Sequence, residues 1–182
     1  MDEIKTKLKT RLTGLSKVRN IVSSICFRKK VAEGIFTSVL VYCIPLWGGC
    51  DKGDIRDLQV LQNIAAQHVL RLPRRSSRNI MFDELGWLSV QQLVFYHSVM
   101  AVYKIRQTGE PEYLAEKLLN DNLRGMLIVP NTSLTLAQSS FCFRAGEYWR
   151  SLPESTRNLK KIGTFKKALK IYTLSQIPRF LD

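Results

Sequence analysis

Apolar positions follow a helical period along most of the chain. Between residues 2 and 22 they recur every three or four positions and form one stripe on a helix, made of Ile4, Leu8, Leu12, Leu15, Val18 and Val22. Two charged residues, Arg11 and Arg19, project within this apolar arc. Either their stems cover apolar surface while the guanidinium groups reach water, or the helix lies between a core and a phosphate backbone. The pattern favours neither explanation.

A second helix extends from about residue 27 to residue 43 and is apolar on nearly every side, which is typical of a buried helix. We expect it to end at Pro45, because a proline ring cannot continue the interior of a helix. The pair Gly48 and Gly49 predicts a turn directly afterwards. Trp47 would then fill the junction between this helix and the next.

The third helix is capped by Asp51 or Asp54 and ends before Pro73. Its apolar side consists of Leu58, Leu61, Ala65, Val69 and Leu72. The opposite side carries a stripe of four long polar side chains, Arg56, Gln59, Asn63 and Gln67. This stripe is either a solvent face or a set of donors and acceptors for sugar and phosphate oxygens.

The second half of the chain is also helical. A short helix follows Ser76 or Ser77 and ends at Gly86, and a strongly apolar helix extends from Val90 to about residue 107. A last, basic helix begins near Thr164. Four aromatic residues near it are expected to anchor this helix to the core, with stacking on bases as the alternative: Phe141, Phe143, Trp149 and Phe165.

Residues near 120–139 are rich in Ser, Thr and Asn and predict a loop, with one short extended piece at Met126 to Val129. The elements together predict a mostly α protein with little or no β structure. We expect a helical bundle over residues 1–72, followed by a second small helical module over residues 73–182.

The charge balance points to a polyanionic partner. Lys and Arg outnumber Asp and Glu by 28 to 15, which gives a net charge of +13 over 182 residues, and such a bias attracts nucleic acids. The alternative is a solvated basic surface that keeps the protein soluble. The densest cluster lies between Arg71 and Arg78. The candidate contacts are Lys5, Lys9, Lys17, Arg28, Lys29, Lys30, Arg56, Asn63, Arg71, Arg74, Arg75 and Arg78.

Other chemistry is not indicated by the sequence. Its four cysteines lack the paired spacing of structural zinc sites, and its charged N-terminal helix is unlike a secretion signal. We therefore expect reduced thiols packed as small apolar side chains, in a nuclear or cytoplasmic protein without metal or other cofactor. No apolar run has the roughly 18–20 residues of a membrane span. No constellation of residues suggests an active site or a small-molecule substrate, and we expect His97 in the core.

Three ordered stretches carry a resemblance. The first is Tyr42-Cys43-Ile44-Pro45-Leu46-Trp47-Gly48-Gly49 followed by Leu61-Gln62-Asn63; the second is Leu85-Gly86-Trp87-Leu88 with Val102-Tyr103-Lys104-Ile105; the third is Ser140-Phe141-x-Phe143-Arg144-Ala145, then Trp149-x-Ser151-Leu152-Pro153-Glu154 and Phe165-Lys166-Lys167-x-Leu169-Lys170. In this order they resemble the C-terminal region of reverse transcriptases from non-LTR retrotransposons, of the jockey-like and CR1-like kind. Gln67 and Arg150 depart from that family's pattern, which usually has Arg and Asn at these places.

The resemblance implies a thumb-like bundle and a C-terminal region, which in that family follow the polymerase palm and grip template and primer. The palm motif aromatic-x-Asp-Asp, whose carboxylates hold two metal ions, does not occur in the sequence. The resemblance therefore implies a non-catalytic fragment that binds RNA, DNA or a hybrid through its backbone, beside a palm domain supplied elsewhere. The alternative is a retained remnant that serves as a protein-interaction or structural module.

Overall fold

The computed structural model describes residues 1–119 and 133–180, and every regular element in these two ranges is a helix. The protein is therefore mostly α, as the hydrophobic pattern predicts. In chain order the elements are α1 (Asp2–Ile21), α2 (Ile25–Ala32), a π-helical segment (Glu33–Thr37), α3 (Ser38–Val41), α4 (Ile44–Trp47), α5 (Lys52–Leu70), α6 (Arg78–Leu85), α7 (Val90–Thr108), α8 (Glu112–Leu118), α9 (Thr135–Gln138), α10 (Phe141–Ser151), α11 (Glu154–Arg157) and α12 (Ile162–Gln176).

The helices form two compact units. The first comprises Met1–Tyr42 and Cys50–Gln91 together with Phe180, and the second comprises Cys43–Gly49 and Gln92–Arg179. The division predicted at residues 72 and 73 differs from this one. Because α6 packs against α5, the segment over residues 73–91 lies with the first unit.

The core of the first unit forms where α1 packs along α5 and against α2 and α3. The predicted stripe on α1 supplies Leu8, Leu12 and Leu15, all at most 8% exposed. Four residues of the predicted apolar side of α5 are buried too, Leu58, Leu61, Ala65 and Val69, whereas Leu72 is half-buried beyond the end of the helix. Ala32, Phe36 and Leu40 complete the core from α2, the π-helical segment and α3. The predicted helices at residues 2–22 and after Asp51 are therefore confirmed.

The end of the second predicted helix lies earlier than expected. The helix ends at Val41, and Cys43 then takes a left-handed backbone conformation with φ of 50°. Pro45 lies in the first turn of α4, where its missing N–H costs no helical hydrogen bond. The prediction that Pro45 ends the preceding helix is therefore wrong, and Trp47 is half-buried rather than enclosed.

The core of the second unit is organised by α7, as its apolar sequence predicts. Phe95, Val99 and Tyr103 of α7 pack in one cluster with Trp149 of α10 and with Phe165 of α12. The rings of Tyr103 and Phe165 stack at a centroid distance of 4.0 Å. These contacts confirm that Trp149 and Phe165 anchor the C-terminal helix to a core, so neither ring is available to stack on a base.

Two further expectations are corrected by the fold. None of the four cysteines is buried: Cys26 and Cys43 are exposed, and Cys50 and Cys142 are half-buried. Part of the predicted loop at 120–139 is the short helix α9. The extended piece predicted at residues 126–129 lies outside the described residues.

Candidate nucleic-acid interface

The turn after α5 is held by hydrogen bonds from a side chain of α5, Gln67, and from a side chain of the turn itself, Ser76. Arg71 ends the helix in the left-handed region with φ of 59°, and the amide of Leu72 donates to the carbonyl oxygen of Gln67 at 3.1 Å. The side chain of Gln67 donates through Nε2 to the carbonyl oxygen of Arg74 at 3.0 Å. The Ser76 hydroxyl then donates to the carbonyl oxygen of Pro73 at 2.8 Å. The backbone that carries Arg74 and Arg75 is therefore fixed from both sides.

This turn, α1 and α5 enclose a cleft in the first unit with a volume of about 700 Å³. We call it the arginine cleft, and its lining residues are Arg19, Val60, Asn63, Ile64, Gln67, His68, Leu72, Pro73, Arg74, Ser76 and Arg78. Among these described residues are three arginines and no carboxylate. Guanidinium groups are suited to phosphate because their planar N–H donors match two oxygens at once. The arginine cleft is thus an electropositive site.

Three of the predicted contacts, Asn63, Arg74 and Arg78, line the arginine cleft. The guanidinium carbon of Arg78 lies 4.6 Å from the centroid of the Phe180 ring. A cation stacked in this way keeps its N–H edges free while its face is occupied, which limits the rotamers that Arg78 can sample. Arg75 is exposed on the same turn without lining the cleft.

Two titratable lining residues, Arg19 and His68, were not among the predicted contacts. Arg19 lies within the apolar arc of α1, and the structure shows that this part of the arc borders the arginine cleft. His68 is half-buried in the last turn of α5, and its Nδ1 atom is buried without a hydrogen-bond partner among the described residues. Burial, together with the positive charge of Arg19, lowers the pKa of His68. The sequence signal that could have identified Arg19 as part of this site was its placement on the apolar stripe of α1.

Arg28 was predicted as a backbone contact, but the structure buries it. The side chain is 5% exposed, and its Nε donates to the carbonyl oxygen of Val69 at 2.7 Å. Its Nη1 donates to the carbonyl oxygens of Val22 and Ser23. Arg28 therefore ties the end of α5 to the segment between α1 and α2, and its donors face protein carbonyls instead of solvent.

Lys5 and Arg71 also have partners within the protein. The Lys5 ammonium group lies 2.6 Å from carboxylate oxygens of both Asp54 and Asp57, and these bonds raise the pKa of Lys5. Arg71 donates to the carbonyl oxygens of Arg19 and Val22 at 2.9 Å and 3.0 Å. These residues join α1 to α5, and neither lines the arginine cleft.

The other predicted contacts are dispersed over the surface of the first unit. Lys9, Lys17, Lys30 and Arg56 are exposed, and the Lys29 ammonium group lies 4.0 Å from Glu33. None of them lines the arginine cleft. The structure thus brings together only part of the predicted set.

The polar stripe of α5 is mainly structural. Gln59 is 8% exposed, donates to Oδ1 of Asn63 at 2.9 Å and accepts from the amide of Val90 at 2.9 Å. Gln67 is 9% exposed and holds the turn. The prediction of a solvent face is therefore wrong for these two glutamines, and Gln67 also lines the arginine cleft. Asn63, between them, reaches the arginine cleft.

The described residues contain no group of three or more His, Cys, Asp or Glu side chains placed to hold a metal ion. None of the described helices is both long and apolar enough to span a membrane. No family model, curated protein or solved structure matches the chain.

Proposed function

We propose that the first unit binds the phosphate backbone of nucleic acids at the arginine cleft. The observation that carries this proposal is the convergence of Arg19, Arg74 and Arg78 on one cleft without a lining carboxylate. Opposing charges nearby would neutralise such a site, as Asp54 and Asp57 neutralise Lys5. Here the guanidinium groups remain available to an anion, and contacts to phosphate position a ligand without reading its sequence.

The resemblance to non-LTR reverse transcriptases supports a more specific form of this proposal. The chain would grip template or primer without catalysing a reaction, beside a palm domain on another part of the polymerase. Two of the stretches that carry the resemblance meet in the second unit, since Nη2 of Arg144 donates to the carbonyl oxygen of Pro45 at 2.9 Å. A shared structural contact is a reason for both stretches to occur in one chain.

A pair of double variants tests whether binding is localised. Arg74→Ala with Arg75→Ala removes two charges at the fixed turn, and Lys166→Ala with Lys167→Ala removes two exposed charges from α12. We expect the arginine variant to weaken binding of RNA about tenfold and the lysine variant about twofold, because the clustered arginines contact phosphate directly. The measurement is a fluorescence-anisotropy titration at one salt concentration.

The outcomes separate the competing functions. Equal losses for the two double variants would leave only a diffuse basic surface. No binding by the unaltered chain at low salt would favour the other candidate, a protein-interaction or structural module. Neither substitution removes a contact that supports the fold, since Gln67 bonds to the backbone of Arg74 and not to its side chain.

A further inference from the structure

We infer that the arginine cleft takes an unpaired nucleotide, with the base against its apolar wall and the phosphate on its arginines. This inference rests on the proposed function and names the class of nucleic acid: single-stranded in preference to duplex. It follows from the two kinds of surface in the cleft, from its volume and from one amide whose orientation is fixed.

The cleft has an apolar wall as well as a basic rim. Val60 and Ile64 lie one helical turn apart on α5, and Leu72 and Pro73 continue the wall into the turn. Val60 is 55% exposed although its side chain is purely apolar. A site for phosphate alone has no need of this surface. A nucleotide presents an apolar ring face and a charged phosphate together, and so complements both surfaces.

The volume favours one nucleotide or two. The arginine cleft encloses about 700 Å³, within the range of roughly 300–1,000 Å³ that pockets for small organic ligands occupy. A duplex is too wide to enter, and its base faces are covered by stacking. It could contact only the rim through phosphates, whereas the splayed bases of a single strand can enter and pack.

Asn63 lies between the apolar wall and the polar side of the cleft. Its Oδ1 atom accepts from Nε2 of Gln59 at 2.9 Å, and the buried Gln59 is itself held by the amide of Val90. This bond orients the Asn63 amide so that Nδ2 can donate to an oxygen of a base or sugar. The cleft thereby offers a nucleotide an apolar surface for its base, arginines for its phosphate and an amide donor for a base or sugar oxygen.

A substitution in the apolar wall tests the inference without changing charge. Val60→Ser removes the exposed apolar contact in the cleft, and Ile80→Ser is the matched control on α6, where the side chain is 65% exposed and does not line the cleft. Val, Ile and Ser have similar helix propensities, so neither change should unfold the protein, which a thermal melt verifies. The ligands are an RNA strand of about 12 nucleotides and the blunt duplex of the same sequence, because single-strand sites span about 4–16 nucleotides.

We expect the chain to bind the strand more tightly than the duplex. Val60→Ser should weaken binding of the strand roughly three- to tenfold and leave binding of the duplex unchanged, while Ile80→Ser changes neither. Equal affinities for strand and duplex, with Val60→Ser indistinguishable from Ile80→Ser, would overturn the inference. If the Arg74 and Arg75 double variant still loses affinity in that case, the proposed function stands, but the inference of an unpaired nucleotide in the cleft does not. If neither ligand binds, the proposed function fails as well.

Discussion

The arginines of the first unit differ in what their guanidinium groups contact. Arg28 bonds to three backbone carbonyl oxygens in a site that is 5% exposed. Arg74 and Arg75 lie exposed on a turn whose backbone is held by Gln67. A buried arginine that satisfies several carbonyls supports the fold, whereas an exposed one can offer its N–H donors to a ligand. The same residue type therefore has two different environments within one unit.

Replacement of Arg28 should be costly to stability. Arg28→Met keeps much of the stem but leaves the carbonyl oxygens of Val69 and Ser23 without the Arg28 donor, while the carbonyl oxygen of Val22 keeps only its bond from Arg71. We expect a loss of about 2–4 kcal/mol in the free energy of unfolding, because hydrogen bonds from a charged donor are lost and buried acceptors are left unpaired. Lys30→Met is the control two residues later, where the exposed side chain should change stability by less than about 0.5 kcal/mol. Urea titration measures both, and equal midpoints would contradict the structural role of Arg28.

The two histidines should make stability depend on pH. Burial lowers the pKa of His68, aided by Arg19, and of His97, aided by Lys104. The unfolded chain therefore takes up protons at a higher pH than the folded one. Above about pH 6.5 both states are neutral at these sites and there is no effect, and stability falls as the pH drops from there toward the folded pKa values.

Thermal melts at several pH values between about 7.5 and 5.5 measure this effect. The variants His68→Gln and His97→Gln should each flatten the decline, whatever their stability at neutral pH. If a variant with both substitutions declines as steeply as the unaltered chain, the two histidines are not its cause.

Within the second unit, the segment after α4 is shaped by close approach to neighbouring elements. A Cβ atom on Gly48 would lie 2.6 Å from a methyl carbon of Val94, and one on Gly49 would overlap the carbonyl oxygen of Ser139. Arg144 of α10 donates to both Ser139 and Pro45 at 2.9 Å. The glycine pair is required because these backbones meet, and Gly48 itself has an ordinary helical φ of −63°.

Alanine substitutions at Gly49 and at Gly163 should have opposite effects on the stability of the protein. Gly49→Ala places its methyl group against the Ser139 carbonyl and should cost at least about 1–3 kcal/mol. Gly163→Ala in α12 meets no atom within 4 Å and should stabilise the protein by about 0.5–1 kcal/mol, because alanine loses less backbone entropy in a helix. Chemical denaturation followed by circular dichroism compares the two variants. Similar stabilities would show that the segment after α4 can shift to admit a side chain.

For the whole molecule, the net charge of +13 is larger than the three arginines of the arginine cleft account for. Lysines such as Lys9, Lys17, Lys166 and Lys167 are exposed and do not line the arginine cleft. If the chain binds a polyanion as proposed, these lysines would raise its local concentration and speed its association without defining its position. A general electrostatic attraction and a local site should therefore be separable by experiment.

The salt dependence of binding measures the number of phosphates that the chain neutralises. If four to six are neutralised, the logarithm of the association constant should fall against the logarithm of salt concentration with a slope of about −3 to −5. The double variant of Arg74 and Arg75 should reduce the magnitude of this slope by about 1 to 2, because two positive charges are removed at the cleft and on the turn beside it. A slope near zero would indicate that the chain does not bind through phosphates.

The amino-acid sequence by itself determined the long helices α1, α5 and α7 and some of the helix ends. The apolar period predicted α1, α5 and α7, Asp51 caps α5 through its bond to the Asp54 amide at 2.8 Å, and Gly86 ends α6 with φ of 62°. These features depend on residues three or four positions apart, so the local sequence contains the whole interaction. The basic turn after α5 was visible for the same reason.

Only the tertiary structure decided which polar side chains remain free. Arg28 and Val69 are 41 residues apart, Gln59 and Val90 are 31 residues apart, and Arg19 and His68 lie on different helices. A charge run has the same appearance in a sequence whether its members reach water or the backbone of a distant helix. Burial depends on which element covers a side chain, and the arginine cleft exists because α1 packs against α5 and leaves one end of that interface open to the turn.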